Sequence, residues 1–350
     1  MRRAALLFTV VAGVLGLAGT PAAAHGGDAP DATAYRTTVT AVSPPEPGLT
    51  VRAVEAGARL ELVNRTGRTI EVLGYAGEPY LELRPDGVHV NVASPAAYLN
   101  ETLAGNTAVP ATADPTAPPR WRRVSGDASV RWHDRRTHWT ESAPPAATRA
   151  EPGRTHRLRD WSVPLRDGVR TFEIRGTLDW MPPPAPGPWW WGALVVAAGC
   201  VVARRTRIPL AAAATVAAAT TIGYAVARQV DAGATTVATV LAGLLGAQLT
   251  VLTAAAGALL AAVLLVARRP AADFALALAG AVLLLFAGLA DIAVFTDAVA
   301  PAPGPSWWPR VAVAVAVGVG AGLTAAGLLR LRAAAPRPST RPWKLPATTS

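Results

Sequence analysis

The chain has 350 residues with 33 Lys/Arg, 23 Asp/Glu, 11 tryptophans and one cysteine. Residues 25–188 carry 19 basic and 19 acidic residues, so the formal net charge of +10 lies entirely outside them. This positive charge is scattered around apolar segments rather than concentrated in a patch, so nucleic-acid binding does not explain it. A single cysteine excludes an intramolecular disulfide.

The first 24 residues predict an export signal. Two arginines form a positive start, an apolar stretch follows as far as Gly19, and three alanines at 22–24 give a small-x-small cleavage pattern. Cleavage after Ala24 would make His25 the first residue of the mature protein. We therefore expect residues 25–181 to form an exported domain.

Short stretches of alternating apolar and polar residues predict that this domain is all-β. ARLELVNRTGRTIEVLGY alternates on both sides of Asn64 to Gly67, which predicts a hairpin. THRLRDWSVPLRDGVRTFEIRGTLDW predicts two last strands joined near Asp167 and Gly168. Further strands are expected at 36–42, 50–54, 80–84 and 88–92. About seven short strands favour an immunoglobulin-like sandwich, and the Pro-, Ala- and Thr-rich residues 102–128 predict a long surface loop.

RWHDRRTHW, residues 131–139, is the most distinctive segment of the domain. A hairpin turn over residues 134–137 would place His133 and His138 opposite each other, with their Cβ atoms about 5 Å apart. Trp132 and Trp139 would form the next pair on the other face.

Two converging imidazoles provide half of a metal site. His133, His138 and His25 are the predicted ligands, because a free N-terminal histidine chelates copper through its amine and ring nitrogen, and imidazole-rich sites suit copper. A structural interpretation stays open, in which the motif is a turn whose rings cover the sheet and bond to neighbouring backbone.

The remaining residues predict a membrane domain behind a stiff Pro-rich linker at 182–188. Five apolar spans occupy about 189–203, 208–227, 235–267, 274–296 and 307–329, and the third is predicted to be one tilted or kinked helix. The predicted domain covers 189–331, followed by a cytoplasmic tail at 332–350.

Basic residues follow the first, third and fifth spans, while tryptophans cluster at the starts of the first and fifth. This pattern predicts an N-terminal domain outside the cell membrane and a cytoplasmic C-terminus. The basic residues are Arg204, Arg205, Arg207, Arg268, Arg269, Arg330, Arg332, Arg337, Arg341 and Lys344.

Asp291 lies in the fourth span, where a carboxylate is costly. The favoured interpretation is a structural role, in which Asp291 caps a helix near the interface or pairs with Arg310 or Arg228 on the same side, and an ion path is the other. Gly318 and Gly322 in the fifth span predict close helix packing rather than a pore.

YRTTVTAVSP, NRTGRTIEVLGYAGEPYLEL, SPAAYLNE, PPRWRRVS and RWHDRRTHW together resemble an uncharacterised family of actinobacterial exported multi-span membrane proteins. Members read WHDHRxHWM at the central motif, whereas Arg135 and Thr140 stand here in place of its middle histidine and its methionine. The architecture is also similar to copper-handling proteins of the CopC/CopD and YcnI kinds, which implies copper as the metal. The intramembrane histidines of CopD are absent.

The chain has no G-x-S-x-G elbow, phosphate loop or dinucleotide fingerprint, and Cys200 lies in a span, so we expect no enzyme activity. Two functions are predicted. The first is a membrane-anchored protein that binds or delivers a transition metal such as copper. The alternative is a non-catalytic interaction module that engages another envelope protein. The lipid bilayer is the expected partner in both cases.

Overall fold

The computed structural model describes residues 29–141 and 143–335. The predicted signal peptide, His25 and the chain from residue 336 onward lie outside the described residues. Within them, two antiparallel sheets are followed by a bundle of helices, so the predicted order of a β part and a helical part is confirmed.

The described part of the chain contains ten strands in two sheets. They are β1 (Tyr35–Ser43), β2 (Leu49–Val54), β3 (Arg59–Asn64), β4 (Ile70–Leu73), β5 (Pro79–Arg84), β6 (Gly87–Asn91), β7 (Trp121–Ser125), β8 (Ser129–Trp132), β9 (His156–Asp167) and β10 (Arg170–Trp180). The larger sheet has the order β1-β10-β9-β4-β5-β6-β7 and the smaller has the order β2-β3-β8. Short helices α1 (Ala96–Leu99) and α2 (Ala146–Ala150) lie in connecting loops. An immunoglobulin-like topology stays a prediction.

The strands form because each has one apolar face. Leu60 and Leu62 of β3 and Ile70 and Val72 of β4 are 0% exposed, while their neighbours along each strand are half-buried. One cluster of buried apolar side chains contains residues of both sheets, so the sheets pack against each other. The predicted last hairpin is confirmed, since β9 and β10 pair across a turn at Gly168 with a φ of +60°.

The predicted hairpin at Asn64 to Gly67 is wrong. β3 pairs with β2 and β8, whereas β4 pairs with β5 and β9, so this link crosses from one sheet to the other. The Asn64 side chain stabilises the crossing by donating to the carbonyl groups of Arg68 (2.7 Å) and Leu83 (2.9 Å). Alternation identifies a strand with one buried face but not the strand that pairs with it.

The predicted surface loop at 102–128 is also partly wrong. Residues 121–125 form β7, which pairs with β6 at the edge of the larger sheet. Residues 102–120 contain no helix or strand, as predicted.

Six longer helices follow the sheets in the described residues: α3 (Gly187–Val202), α4 (Ile208–Asp231), α5 (Val237–Ala247), α6 (Leu249–Val266), α7 (Ala272–Leu283) and α8 (Trp307–Ala334). Four helical segments are long and apolar enough to span a membrane: α4, α6, α8 and the continuous segment Ala272–Phe295 that begins with α7. The first predicted span is α3, whose 16 residues give a length of about 24 Å against a hydrocarbon core of about 30 Å.

Two of the predicted spans are broken. The third predicted span consists of two helices, because Gln248 separates α5 from α6 with a non-helical ψ of 22°, and that they form one kinked span stays a prediction. In the fourth span, α7 continues as a π-helical turn at Leu284–Gly288 and then as a 3₁₀ segment at Leu289–Phe295. Asp291 in that segment has a non-helical ψ of 18°.

The helix ends form two groups. The ends near residues 231 and 299 contact the β part, through the Ala56 N–H to Asp231 (2.8 Å) and a short bridge between Thr33 and Val299. Arginines lie at the opposite ends: Arg204 follows α3, Arg268 follows α6, and Arg330 lies near the end of α8. The predicted alternation of basic and nearly neutral ends is therefore confirmed.

Glycines allow α8 to approach its neighbours closely. A Cβ at Gly318 would lie 2.6 Å from the Ala193 carbonyl of α3, and one at Gly322 would lie 2.6 Å from the Cys200 side chain. On another face, a Cβ at Gly320 would lie 2.7 Å from the Leu284 backbone nitrogen. The predicted close packing at Gly318 and Gly322 is confirmed.

We expect Gly320→Ala to lower the stability of the bundle. The added methyl group meets backbone rather than a flexible side chain, so the helices must separate, at a cost of about 1–3 kcal/mol. Gly199→Ala in α3 is the matched control, since a Cβ there meets nothing within 4 Å. Thermal unfolding of the purified protein in detergent would measure both, and equal midpoints would contradict the packing argument.

Candidate functional site

The motif at residues 131–139 is a compact turn rather than a hairpin. β8 ends at Trp132, Asp134 caps a 3₁₀ turn at Arg135–Thr137, and the described residues between this turn and β9 form no strand. The predicted pairing of the two tryptophans is wrong. Trp132 is buried in the core and donates to Asp134 (3.1 Å), whereas Trp139 stacks on Tyr35.

The carboxylate of Asp134 holds this turn together. It is 0% exposed and accepts two side-chain bonds from Arg136, through Nε and Nη2, both at 2.8 Å. Arg136 also donates to the Leu73 carbonyl (3.0 Å) and lies over the Tyr75 ring. Because Arg136 and Trp132 occupy both of its oxygens, Asp134 is poorly placed to ligate a metal.

The turn does bring the two predicted imidazoles together. The ring centroids of His133 and His138 are 4.3 Å apart and the planes are tilted by 45°. The Nδ1 atom of His133 lies 3.1 Å from the Ala58 carbonyl, and that of His138 lies 2.9 Å from the Asp134 carbonyl. A carbonyl can only accept, so Nδ1 carries the proton in the neutral rings and Nε2 carries the lone pair. The Nε2 atom of His138 is buried and makes no hydrogen bond.

A complete metal site is not formed by the described residues, which contain no group of three or more His, Cys, Asp or Glu side chains arranged to hold an ion. His25, the third predicted ligand, lies outside them. His156 bonds through Nε2 to the Glu151 carbonyl (2.8 Å), and His89 is buried in β6. Metal binding by His25, His133 and His138 therefore stays a prediction.

A second polar site lies between the β part and the helices. It is a cavity of about 450 Å³, lined by Glu55, Arg59 and Arg131 of the β part and by Arg228, Gln229 and Gln248 of the helices, among other residues. Pockets for small molecules have volumes of about 300–1,000 Å³, so this interface cavity has the size of a binding site.

Below the interface cavity, Arg228 and Asp291 form an ion pair between α4 and the broken fourth span. Both side chains are about nineteen-twentieths buried, with exposures of 5% and 4%. The predicted pairing of Asp291 is thus confirmed with Arg228 as the partner. Arg310 instead donates to backbone carbonyl groups, including those of Val294 (2.9 Å) and Asp297 (3.2 Å).

Three more polar side chains surround this pair, and each has a polar atom that makes no hydrogen bond. The Thr221 hydroxyl, the Tyr224 hydroxyl and the Gln248 side-chain oxygen are buried and make no hydrogen bond. The Tyr224 hydroxyl lies beside the Arg228 guanidinium but outside hydrogen-bond geometry. They line a hollow of about 10 Å³ that shares Arg228 and Gln248 with the interface cavity above. Such a volume holds about one water-sized group.

The segment between β2 and β3 connects the two candidate sites. Glu55, Ala56 and Gly57 have φ values of +58°, +57° and +87°, a left-handed turn that costs a non-glycine residue about 1–2 kcal/mol. Glu55 lines the interface cavity, the Ala56 N–H donates to Asp231, and the Ala58 carbonyl faces His133.

Sequence reasoning did not identify the interface cavity. A signal was present, because Thr221, Tyr224 and Arg228 recur at helical spacing on one face of an apolar helix. Gln248 is likewise a lone amide in an apolar span. Their convergence required the kinks at Gln248 and Asp291, which no periodicity predicts.

Comparison of the chain with protein-family models, with curated proteins and with solved structures gives no match. The function is therefore argued from geometry.

We expect the stability of the β part to fall as the pH is lowered. Burial lowers the pKa of His138 from its ordinary 6.5 to about 4, and the neighbouring His133 acts in the same direction. Between these values the unfolded chain binds a proton that the folded ring does not. The resulting stability is complete above about pH 6.5 and is lost towards pH 4, by about 3 kcal/mol at most.

Denaturant unfolding between pH 7 and pH 4 would measure this loss. His138→Gln, which cannot be protonated in this range, should show a shallower pH dependence. His156→Gln, at a half-buried histidine that starts β9, is the control and should keep the wild-type dependence. Parallel pH profiles for all three proteins would contradict the assignment to His138.

Proposed function

We propose that the protein is a membrane-embedded binding protein that receives a small polar solute in the interface cavity. The observation that supports this proposal is the position of the two helix breaks. Both breaks, at Gln248 and Asp291, lie beside buried polar groups that make no hydrogen bond. π-helical turns are frequent at functional sites. Discontinuous membrane helices commonly form substrate sites in transporters.

We further propose that the β part lies outside the cell and that α3 is a fifth membrane span. Arginines at the ends remote from the sheets support this orientation by the positive-inside rule. Trp189 to Trp191 at the start of α3 fit an outer interface, and α3 packs closely on α8 through Gly318 and Gly322. The interface cavity then opens towards the exterior.

Thiol labelling tests the site and its orientation together. In a Cys200→Ala background, we expect Gly246→Cys to react with a membrane-impermeant thiol reagent added to intact cells. Gly246 lines the cavity, and a Cβ there meets nothing within 4 Å. Gly199→Cys is the matched control: its Cβ is equally unobstructed, but it lies on the lipid-facing surface of α3, where a thiol stays protonated and unreactive.

Two results would contradict the proposal. If Gly246→Cys is abundant but unreactive, the cavity is closed to water from outside. If it reacts only after the membrane is permeabilised, the orientation is reversed.

Transition-metal binding at His133 and His138 is a second candidate function. It is favoured because both Nδ1 atoms face carbonyl groups, the arrangement that orients metal-ligating imidazoles, and because His138 Nε2 makes no hydrogen bond. Two imidazoles provide an incomplete ligand set, and His25 is the proposed third ligand. The interaction-module alternative and the absence of enzyme activity also stay predictions.

Titration of the full-length protein in detergent with Cu(II) or Zn(II) tests this candidate. Loss of a group that merely orients a metal ligand typically costs 10–100-fold in affinity, so loss of a ligand itself in His133→Ala or His138→Ala should weaken binding by at least about 10-fold. The double variant should be no weaker than either single variant, since each removes part of one site. His156→Ala is the control. Equal affinity in wild type and all variants would leave the imidazole pair with a structural role.

A further inference from the structure

The hollow beneath the interface cavity brings together three polar groups that make no hydrogen bond within the described residues. They are the hydroxyls of Thr221 and Tyr224 and the side-chain oxygen of Gln248. Each of these residues is at most 4% exposed, and all three line the hollow together with Arg228 and Asp291. Buried polar groups in proteins are nearly always paired, so three of them around one small space indicate a site that a further polar group completes.

Thr221 differs in this respect from the other threonines of its helix. Thr215 and Thr220 donate to the carbonyl groups of Ala211 (2.9 Å) and Val216 (3.0 Å), one turn earlier in α4. Bonding back to the helix in this way is the usual way for a threonine within a helix to satisfy its hydroxyl. The Thr221 hydroxyl makes no such bond, so it is available to a group in the hollow.

The size of the hollow limits what can enter it. Its volume of about 10 Å³ matches one water-sized group. The hollow shares Arg228 and Gln248 with the interface cavity, which has about 450 Å³. A solute in the cavity can therefore place one small terminal group in the hollow while the rest of it stays in the cavity.

The ion pair of Arg228 and Asp291 selects the charge of that group. Both side chains line the hollow and neutralise each other, and Arg228 also lies over the Tyr224 ring. An added ion of either sign would lose its hydration without meeting an excess of the opposite charge, which is costly in buried surroundings. We therefore expect the group to be neutral and the ion pair to stay intact when it binds.

Hydrogen bonding selects the chemistry of the group. The Gln248 side-chain oxygen can only accept, whereas the hydroxyls of Thr221 and Tyr224 can both donate. A single hydroxyl has one O–H donor and two acceptor lone pairs, so it can satisfy all three. An ether or carbonyl oxygen cannot donate, an amide donates and accepts through different atoms, and an alkylamine is charged at neutral pH.

The lining of the interface cavity suits further hydroxyls. It contains the Glu55 carboxylate, the guanidinium groups of Arg59 and Arg131, and the Gln229 amide. The two arginines already donate, Arg59 to Glu55 and Arg131 to the Ala232 carbonyl. Because hydroxyl groups both donate and accept, they can bond to such groups without displacing a charged partner.

We propose that the solute is a small neutral polyol, one hydroxyl of which enters the hollow. This hydroxyl donates to the Gln248 side-chain oxygen and accepts from the hydroxyls of Thr221 and Tyr224. The inference rests on the proposed function and names its ligand class. No covalent step is involved, and Arg228 keeps Asp291 as its partner.

Protection from thiol labelling tests the ligand class on the full-length protein in detergent. In the Cys200→Ala/Gly246→Cys protein, we expect meso-erythritol or myo-inositol to slow the labelling in a saturable manner, because Gly246 lines the cavity that the polyol fills. Glycine betaine, sodium acetate and ethylammonium chloride at matched osmolality should not slow it. They represent a solute without O–H or N–H donors, an anion and a cation.

Removal of single hydroxyls tests the hollow. Thr221→Val keeps the shape of the side chain and should raise the half-protecting polyol concentration by about 3–10-fold, the usual effect of losing one hydrogen bond. Thr221→Ser, which keeps a hydroxyl, should stay close to the parent value. Thr220→Val is the matched control, since that hydroxyl is satisfied within its own helix. If Thr221→Val does not fold, Tyr224→Phe carries the same expectation.

The outcomes separate this inference from the proposed function. Normal labelling without protection by either polyol would overturn the polyol. Equal protection by betaine, acetate or ethylammonium would overturn the neutral hydroxyl, and an unchanged half-protecting concentration in Thr221→Val would overturn its place in the hollow. Equilibrium dialysis with radiolabelled myo-inositol repeats the comparison of variants without a thiol. Failure of the labelling alone would therefore count against the proposed function, while the dialysis still decides the ligand class.

Discussion

A guanidinium buried among apolar helices needs partners, and the partners of Arg228 connect the main parts of the molecule. It pairs with Asp291 of the broken span and donates to Pro30, which precedes the first strand. A buried pair is weak evidence for stability, because apolar side chains of similar volume are often as good or better by about 1–4 kcal/mol. Removal of one partner, in contrast, costs about 3–5 kcal/mol. The pair therefore specifies an arrangement rather than maximising stability.

The two ends of the helix bundle are packed differently. Towards the end remote from the sheets, glycines and alanines let regular helices approach to backbone contact, as at Gly322 and Cys200. Towards the sheets, two helices are interrupted and three polar groups remain unsatisfied. Interrupted backbone is tolerated at membrane depth where it is buried in protein or lines a polar space. That contrast favours a binding site at the sheet side and an anchor beneath it.

Periodicity predicted the elements well and their contacts poorly. The strands, the last hairpin and the glycine packing follow from local patterns with one buried face. The strand that pairs with β4 does not follow from them, because alternation leaves the pairing open. The Asn64 side chain stabilises the observed crossing through bonds to the carbonyl groups of Arg68 and Leu83. The imidazole pair was predicted, but through the wrong turn, since Asp134 is buried against Arg136 rather than exposed. The convergence of Arg228, Gln248 and Asp291 depends on two backbone breaks that carry no sequence period.

The left-handed turn at Glu55 to Gly57 gives the two candidate sites a common support. Strained backbone of this kind persists only where surrounding contacts determine it, and here the contacts come from opposite directions. Asp231 of the bundle holds the Ala56 N–H, while His133 holds the Ala58 carbonyl. The interface cavity and the imidazole pair therefore contact the same short strained segment, so the geometry of each depends on how this segment is held between the β part and the helices.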